Sequence, residues 1–127
     1  ILYSSKKYFG YFLKSYDARN IFAESISITN VNFALGCYDI VSTDYNNPNL
    51  IYSDYCTHDD DVIIDEYKLD TTAINKIELV RIDTINRVIE GNFAISFVYA
   101  NKRPKGNPFE PDKIRFFNGY FKGIYYE

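Results

Sequence analysis

At 127 residues and a net charge of −3, the chain is long enough for one domain around one core, and it lacks the basic footprint that a nucleic-acid binder needs. Thirteen Tyr and ten Phe, with neither Trp nor Met, suit pleated, half-buried surfaces better than helices. No run approaches the roughly 20 apolar residues of a membrane helix, and Lys6 and Lys7 interrupt the start, so Ile1 to Leu13 does not read as a signal peptide.

Ile1 to Tyr16 is expected to hold one or two strands, with Phe9, Tyr11 and Leu13 on one face and Tyr8 and Phe12 on the other. Ser15 to Asn20 is a turn. Ile21 to Ile28 alternates again, with Phe22, Ile26 and Ile28 on one side, but Glu24 falls among them and leaves the choice of face open. Asn30 to Asn32 breaks the run. Phe33 to Ser42 forms the next strand, regular from Gly36, and Thr43 to Asn49 is a loop rich in Asn and Pro before Leu50 to Cys56 returns. A hairpin centred between Asn46 and Asn47 would set Tyr38 against Tyr55 and Cys37 against Cys56. Directly opposed strand positions lie roughly 4.5 to 5.5 Å apart, within the reach of a disulfide. Two reduced thiols are the alternative, because a slip of one residue separates the pair.

Thr57 to Asp61 sets His58 among acidic residues, and Val62 to Leu69 follows as a strand. Asp70 to Asn75 has room for one helical turn, too short to be stable by itself. Lys76 to Ile82 and Ile89 to Tyr99 then form the best-defined hairpin. Ile89, Gly91, Phe93, Ile95, Phe97 and Tyr99 recur at every second position, and folding about Ile85 places Ile77 opposite Phe93 and Leu79 opposite Gly91. Asn101 to Asp112, with three prolines and Gly106, is an irregular connection. In the last segment Ile114 should face Tyr99 and Phe116 should face Phe97. Past Asn118-Gly119 the apolar set changes phase to Phe121, Gly123 and Tyr125. One extra residue produces such a change, so a β-bulge is expected at Phe117 to Gly119 with Gly119 at positive φ; the rival is a two-residue hairpin turn at Asn118-Gly119. The expected fold is one all-β domain over residues 1–127, an antiparallel sandwich or flattened barrel of about eight short strands.

Several of these stretches resemble a family of uncharacterised domains in Bacteroidetes cell-envelope lipoproteins. The likeness rests on Asp60-Asp61-Val62, Ile77-Glu78-Leu79, Ile89-Glu90-Gly91-Asn92-Phe93, Ile114-Arg115-Phe116, Asn118-Gly119-Tyr120-Phe121 and Gly36-Cys37-Tyr38. It covers about Leu35 to Tyr126. The resemblance implies secretion, a lipid anchor outside this chain as the only link to a membrane, location in the periplasm or at the outer-membrane surface, and a function that is unassigned; the role expected here is a non-enzymatic one, binding or scaffolding a protein or glycan at the outer membrane. It also favours the oxidised Cys37–Cys56 pair. Gly36, Gly91, Phe93, Gly119 and Phe121 carry the motifs, and their role is structural.

The candidate chemistry is thin. Should a calcium ion bind, Asp59, Asp61 and Asp65 are the carboxylates it would use, although the spacing of the acidic run is not that of an EF-hand loop and a solvated turn is the preferred reading. No other cofactor is suggested. His58 is the only histidine and would have to serve as the base of any hydrolytic site, yet no nucleophile motif accompanies it. Zinc would find only Cys56, His58 and Asp59 in one cramped stretch. Tyr3, Tyr8, Tyr11, Tyr16, Tyr45, Tyr52 and Tyr125 include the rings most suited to stacking on a sugar. The alternatives to a scaffolding role are therefore a glycan-binding module that uses exposed Tyr and a lipocalin-like carrier of a small hydrophobic ligand. Bulky interior residues such as Phe93, Phe97 and Phe121 argue against the carrier.

Overall fold

The computed structural model describes residues 2–4 as backbone, and 8–101 and 103–126 in full. Nine strands and no helix occur among them: β1 (Leu2–Ser4), β2 (Tyr8–Tyr16), β3 (Phe22–Asn32), β4 (Gly36–Asp39), β5 (Tyr52–Asp59), β6 (Val62–Leu69), β7 (Lys76–Asp83), β8 (Val88–Tyr99) and β9 (Lys113–Tyr126). They pair in the order β4-β7-β8-β6-β5-β3-β2-β1-β9, and β9 also pairs with β8. Every ladder is antiparallel except β1 with β9. β8 is the branch point. One of its edges takes β7 along Val88–Ala94 and β6 along Phe97–Tyr99, while β9 lines the other edge. The pairings thus run round a flattened barrel whose closure at β1 and β9 is only two residue pairs long, with β4 and β7 as a flap on one side.

The central hairpin follows the period of two. Ile77 pairs with Phe93 and Leu79 with Gly91, and Ile89, Phe93, Ile95 and Phe97 are all buried. Tyr55, Tyr67, Ile26, Ile28, Phe9 and Tyr11 fill the inside from the other strands. Glu24, whose face was open, shares the inward side with Ile26 and Ile28. Its carboxylate sits at the end of the barrel, where it accepts the Tyr55 hydroxyl and the Ser15 hydroxyl, both at 2.8 Å. Two partners of this kind let an acid lie next to the core without an unmet hydrogen bond.

Several expectations are corrected. β3 does not break at Asn30. It continues to Asn32 through a bulge opposite Gly10, with Asn30 at φ 66°. β5 runs through His58 to Asp59, and the turn is Asp60-Asp61, with Asp60 at φ 54°. Asp70 to Asn75 is a plain turn. Ile114 pairs with Phe97 and Phe116 with Ile95, two residues from the expected register. The Tyr99 amide donates to Asp112 O at 2.8 Å and centres the connection one position earlier. A slip of two keeps every side chain on its face, so the core was unaffected.

The bulge at Phe117 to Gly119 is present, where the pairing changes phase between Phe93 and Ile95. The left-handed residue, however, is Asn118 at φ 57°, and Gly119 is not at positive φ. Asn tolerates that conformation because its short polar side chain satisfies the local backbone. The glycine answers a different need. A Cβ on Gly119 would lie 2.5–2.6 Å from the ring of Phe93, and one on Gly91 would strike Glu78 O and lie 2.6 Å from the ring of Phe121. Gly91 pairs directly with Phe121, and Phe93 with Gly119. Each ring therefore lies over the glycine across the ladder. Gly91→Ala should cost about 3 kcal/mol in urea unfolding, since its obstacle includes backbone, and Gly119→Ala about 1–2 kcal/mol, since a ring can shift. Unchanged stability in both would remove this interlock from the account.

Candidate functional site

The largest features that polar residues share with aromatic ones lie on the outside of the barrel. The β3 bulge pushes Thr29 and Asn30 outward beside Gly10, and the chain from Ser42 to Leu50 folds back over them. The Asn30 carboxamide donates to Asn47 O at 3.4 Å and to Leu50 O at 3.3 Å, fastening this loop. Within the loop, the Ser42 hydroxyl donates to Asp44 O and accepts the Asp44 amide, and the Asp44 carboxylate and Asn47 carboxamide oxygens accept the amides two residues on. These local turns hold Tyr45 edge-on to Tyr52, with ring centroids 5.6 Å apart.

A cleft of about 430 Å³ results, lined by Tyr8, Thr29, Asn30, Tyr45, Asn46 and Pro48, with Phe9 and Gly10 beneath. Tyr45 is 69% exposed. Thr29 Oγ1 is buried and makes no hydrogen bond, alone in this among the described side-chain nitrogens and oxygens. The Asn46 carboxamide has no hydrogen-bond partner among the described residues. Aromatic faces beside carboxamides are the means by which proteins hold ring-shaped polar ligands: the rings take the C–H face and the amides take hydroxyls. Tyr8 and Tyr45 were both legible as candidates. Thr29 and Asn30 were missed because Asn30-Val31-Asn32 was read as a break, its polar–apolar alternation being the available signal, and Asn46 because it was read only as a loop residue.

The other tyrosines divide. Tyr16 is exposed and Tyr52 is half-buried, whereas Tyr11 and Tyr125 belong to the core. The Tyr3 side chain lies outside the described residues. Tyr52 donates to Asp54 at 2.7 Å, and burial raises its hydroxyl pKa, reinforced by that carboxylate.

Cys37 and Cys56 do not meet. β4 pairs with β7, placing Cys37 opposite Glu78, and both edges of β5 are taken by β3 and β6, placing Cys56 between Ser25 and Glu66. Both cysteines are free, Cys37 exposed and Cys56 half-buried. Burial, with Asp54 and Glu66 beside it, pushes the Cys56 thiol up to about 12.

Asp59, Asp61 and Asp65 are likewise apart. Asp59 and Asp61 stand at the exposed tip of the β5–β6 hairpin, but Asp65 is fully buried. Its carboxylate accepts the Gly106 amide at 2.8 Å and the Asn107 amide at 3.2 Å, with Arg103 Nη1 3.9 Å away. This is a clamp on the 101–112 connection. Tyr67 tightens it by donating to Pro111 O at 2.7 Å, and Tyr99 by donating to Arg103 O at 2.9 Å. No group of three or more His, Cys, Asp or Glu poised for a metal occurs among the described residues.

His58 Nε2 lies 2.9 Å from Ser25 Oγ, and its ring stacks on Phe22 with centroids 4.1 Å apart. Burial, and then Lys14, lowers its pKa, so at neutral pH the imidazole is uncharged. Ser25 is only 6% exposed, and no carboxylate bonds the ring among the described residues, so a base and a hydroxyl meet here without an orienting acid.

Two outcomes check these assignments. Under denaturing, non-reducing conditions two thiols should react with a disulfide reagent, and in the native protein Cys37 should react well before Cys56; a chain with no free thiol would refute the pairing described. Asp65→Ala should lower stability by about 2–3 kcal/mol and speed amide exchange at Gly106 and Asn107, because two donors lose a buried acceptor. Comparison with family models, characterised proteins and solved structures finds no match to this chain.

Proposed function

We propose that this chain is a non-enzymatic binding domain whose Tyr8–Tyr45 cleft holds a sugar ring of a glycan. The observation that carries the reading is the chemistry of the cleft. Two tyrosines, two asparagines and Thr29 line about 430 Å³ of open surface, and none of these residues is charged. A neutral, hydroxyl-rich ring matches that lining better than an ion or a purely apolar molecule does. The resemblance to cell-envelope lipoprotein domains, with the extracellular or periplasmic glycan exposure it implies, agrees with this reading and supplies its cellular setting.

A carrier of hydrophobic ligands is supported less well. Phe93, Ile95, Phe97, Tyr55, Tyr67 and Phe121 are buried against one another where an internal ligand would have to lie. The Ser25–His58 pair supports hydrolysis weakly, since its hydroxyl is buried and its base lacks an acid partner.

The test is a titration of isotope-labelled protein with neutral oligosaccharides of the cello, chito, xylo and malto series, followed by amide shifts. One series should give saturable shifts confined to residues 8–10, 29–30 and 45–48. Tyr45→Ala should weaken that binding about five- to tenfold, as the loss of one aromatic contact of about 1–1.5 kcal/mol requires, with an unaltered melting temperature. Absence of shifts in those segments for every series, or binding that survives Tyr45→Ala intact, would overturn the proposal.

A further inference from the structure

The outer face of β9 carries cations and rings in one row. Ile114 and Phe116 turn inward before the bulge, and Phe121 and Tyr125 after it, so Lys113, Arg115 and Phe117 point outward on one side of the bulge and Tyr120 and Lys122 on the other. A regular strand would set Phe117 and Tyr120 on opposite faces, since three positions separate them. The residue added at Phe117-Asn118 brings both rings out. Phe117 is 66% exposed and Tyr120 59%. Across the ladder, Asn92 pairs with Tyr120 and Ser96 with Arg115, both at outer positions of β8.

The charge of this row is one-sided. β9 contains no acidic residue. Glu90, opposite Lys122, already meets Arg81 at 2.9 Å, the Tyr120 hydroxyl at 3.2 Å and Lys122 at 3.4 Å, and Glu78 is one strand further away, on β7. Arg115 stands 5.8 Å from the centre of the Phe117 ring. Neither Arg115 nor Lys113 forms an ion pair among the described residues, and Lys113 acts on Asp70 only through space. In a chain of net charge −3, the outer face of this strand is locally cationic, and its complement is an anion.

We propose that this row binds a linear acidic glycan, one that bears carboxylates or sulfates along its chain. Lys113, Arg115 and Lys122 meet the anions, Phe117 and Tyr120 take the C–H faces of sugar rings, and Asn92 and Ser96 meet hydroxyls. Side chains on one face of a strand repeat every ~6.6 Å, so the five residues of β9 span roughly 25–30 Å, the reach of an oligosaccharide and not of one sugar. A lipid bilayer would call for apolar neighbours where the row has Asn92 and Ser96, and a single-stranded nucleic acid for a denser run of cations. The bulge thereby has a second use besides setting the phase of Phe121, since without it the two rings would not share a face. This surface has no residue in common with the Tyr8–Tyr45 cleft and stands or falls separately from it.

The probes are a hexamer of galacturonate and a heparin-derived hexasaccharide, titrated into the labelled chain at low salt. At least one should give saturable amide shifts at residues 92, 96 and 113–122, with a dissociation constant below about 1 mM; which of the two does so tells carboxylate from sulfate. Added salt should weaken that binding. Arg115→Gln with Lys122→Gln should weaken it about five- to tenfold, and Phe117→Ala about fivefold. All three side chains are exposed, so the melting temperature should not change. Four results would overturn the proposal: no saturable shifts in those segments with either probe, equal binding of maltohexaose, binding that the substitutions leave intact, or equal or tighter binding of oligo-dT or of phosphatidylglycerol vesicles, which would make the row a general anion surface.

Discussion

Two rings and two glycines, facing each other across one ladder, set the geometry of this protein. Phe93 lies over Gly119 and Phe121 over Gly91. A glycine in a strand ordinarily weakens it, and an aromatic ring laid across the gap restores the lost contact while excluding water from the ladder. The arrangement needs both phenylalanines on the inward face, yet the odd-numbered phase of Phe121 is out of step with Ile114 and Phe116. The bulge at Phe117 and Asn118 supplies the missing step. With that step made, Phe121 reaches Tyr11 and Tyr125 turns inward to Phe33, 4.9 Å between ring centroids. The interlock in one hairpin thereby reaches strands at the far end of the sheet.

Polar groups then fix what the rings do not. Asp65 holds the 101–112 connection through backbone amides, and Asn75 does the same for the turn before β7, donating to Asp70 O at 2.9 Å and accepting the Ser96 amide at 2.7 Å. Both are buried. A buried carboxylate or carboxamide that bonds loop backbone does for an irregular segment what ladder partners do for a strand, since main-chain groups left bare would cost more than the desolvated side chain. The cleft loop is held in the same way by Asn30. Loops in this protein are thus anchored from the sheet outward, which gives the Tyr8–Tyr45 cleft a defined shape although half of it is loop.

What could be read from the residues was local. The β7–β8 hairpin was legible because its strands are joined by a short turn and alternate cleanly, so that one register satisfies both faces. The bulge in β9 was legible because a change of phase needs one extra residue. The partner of β4 was not. Gly36 to Asp39 pair with residues some forty positions away in β7, and alternation states which face a strand buries while remaining silent on which neighbour it chooses. An even-spaced pair of cysteines around an Asn-Pro loop then suggested a hairpin that the chain does not make. The acidic run divides for a related reason: its first part is the solvated turn expected of it, but the β-turn and the bulge between Asp59 and Asp65 send one to solvent and the other to the interior. In the cleft, residue type exposed Tyr8 and Tyr45, whereas the bulge that assembles their neighbours depends on Asn30 taking a left-handed conformation that composition does not announce.

The pairing of β1 with β9 carries a consequence for how the molecule assembles. It joins Leu2 to Tyr125, nearly the two extremes of the chain, and the entropy lost in bringing distant segments together rises with the length of the loop closed. Two residue pairs offer little enthalpy in return. The hairpins β7–β8 and β8–β9 can form early and cheaply, but the staves at the seam can lock only after the rest has condensed, and in native-state hydrogen exchange their amides should belong to the least protected cooperative unit. The barrel is in this sense a folded sheet with a late clasp.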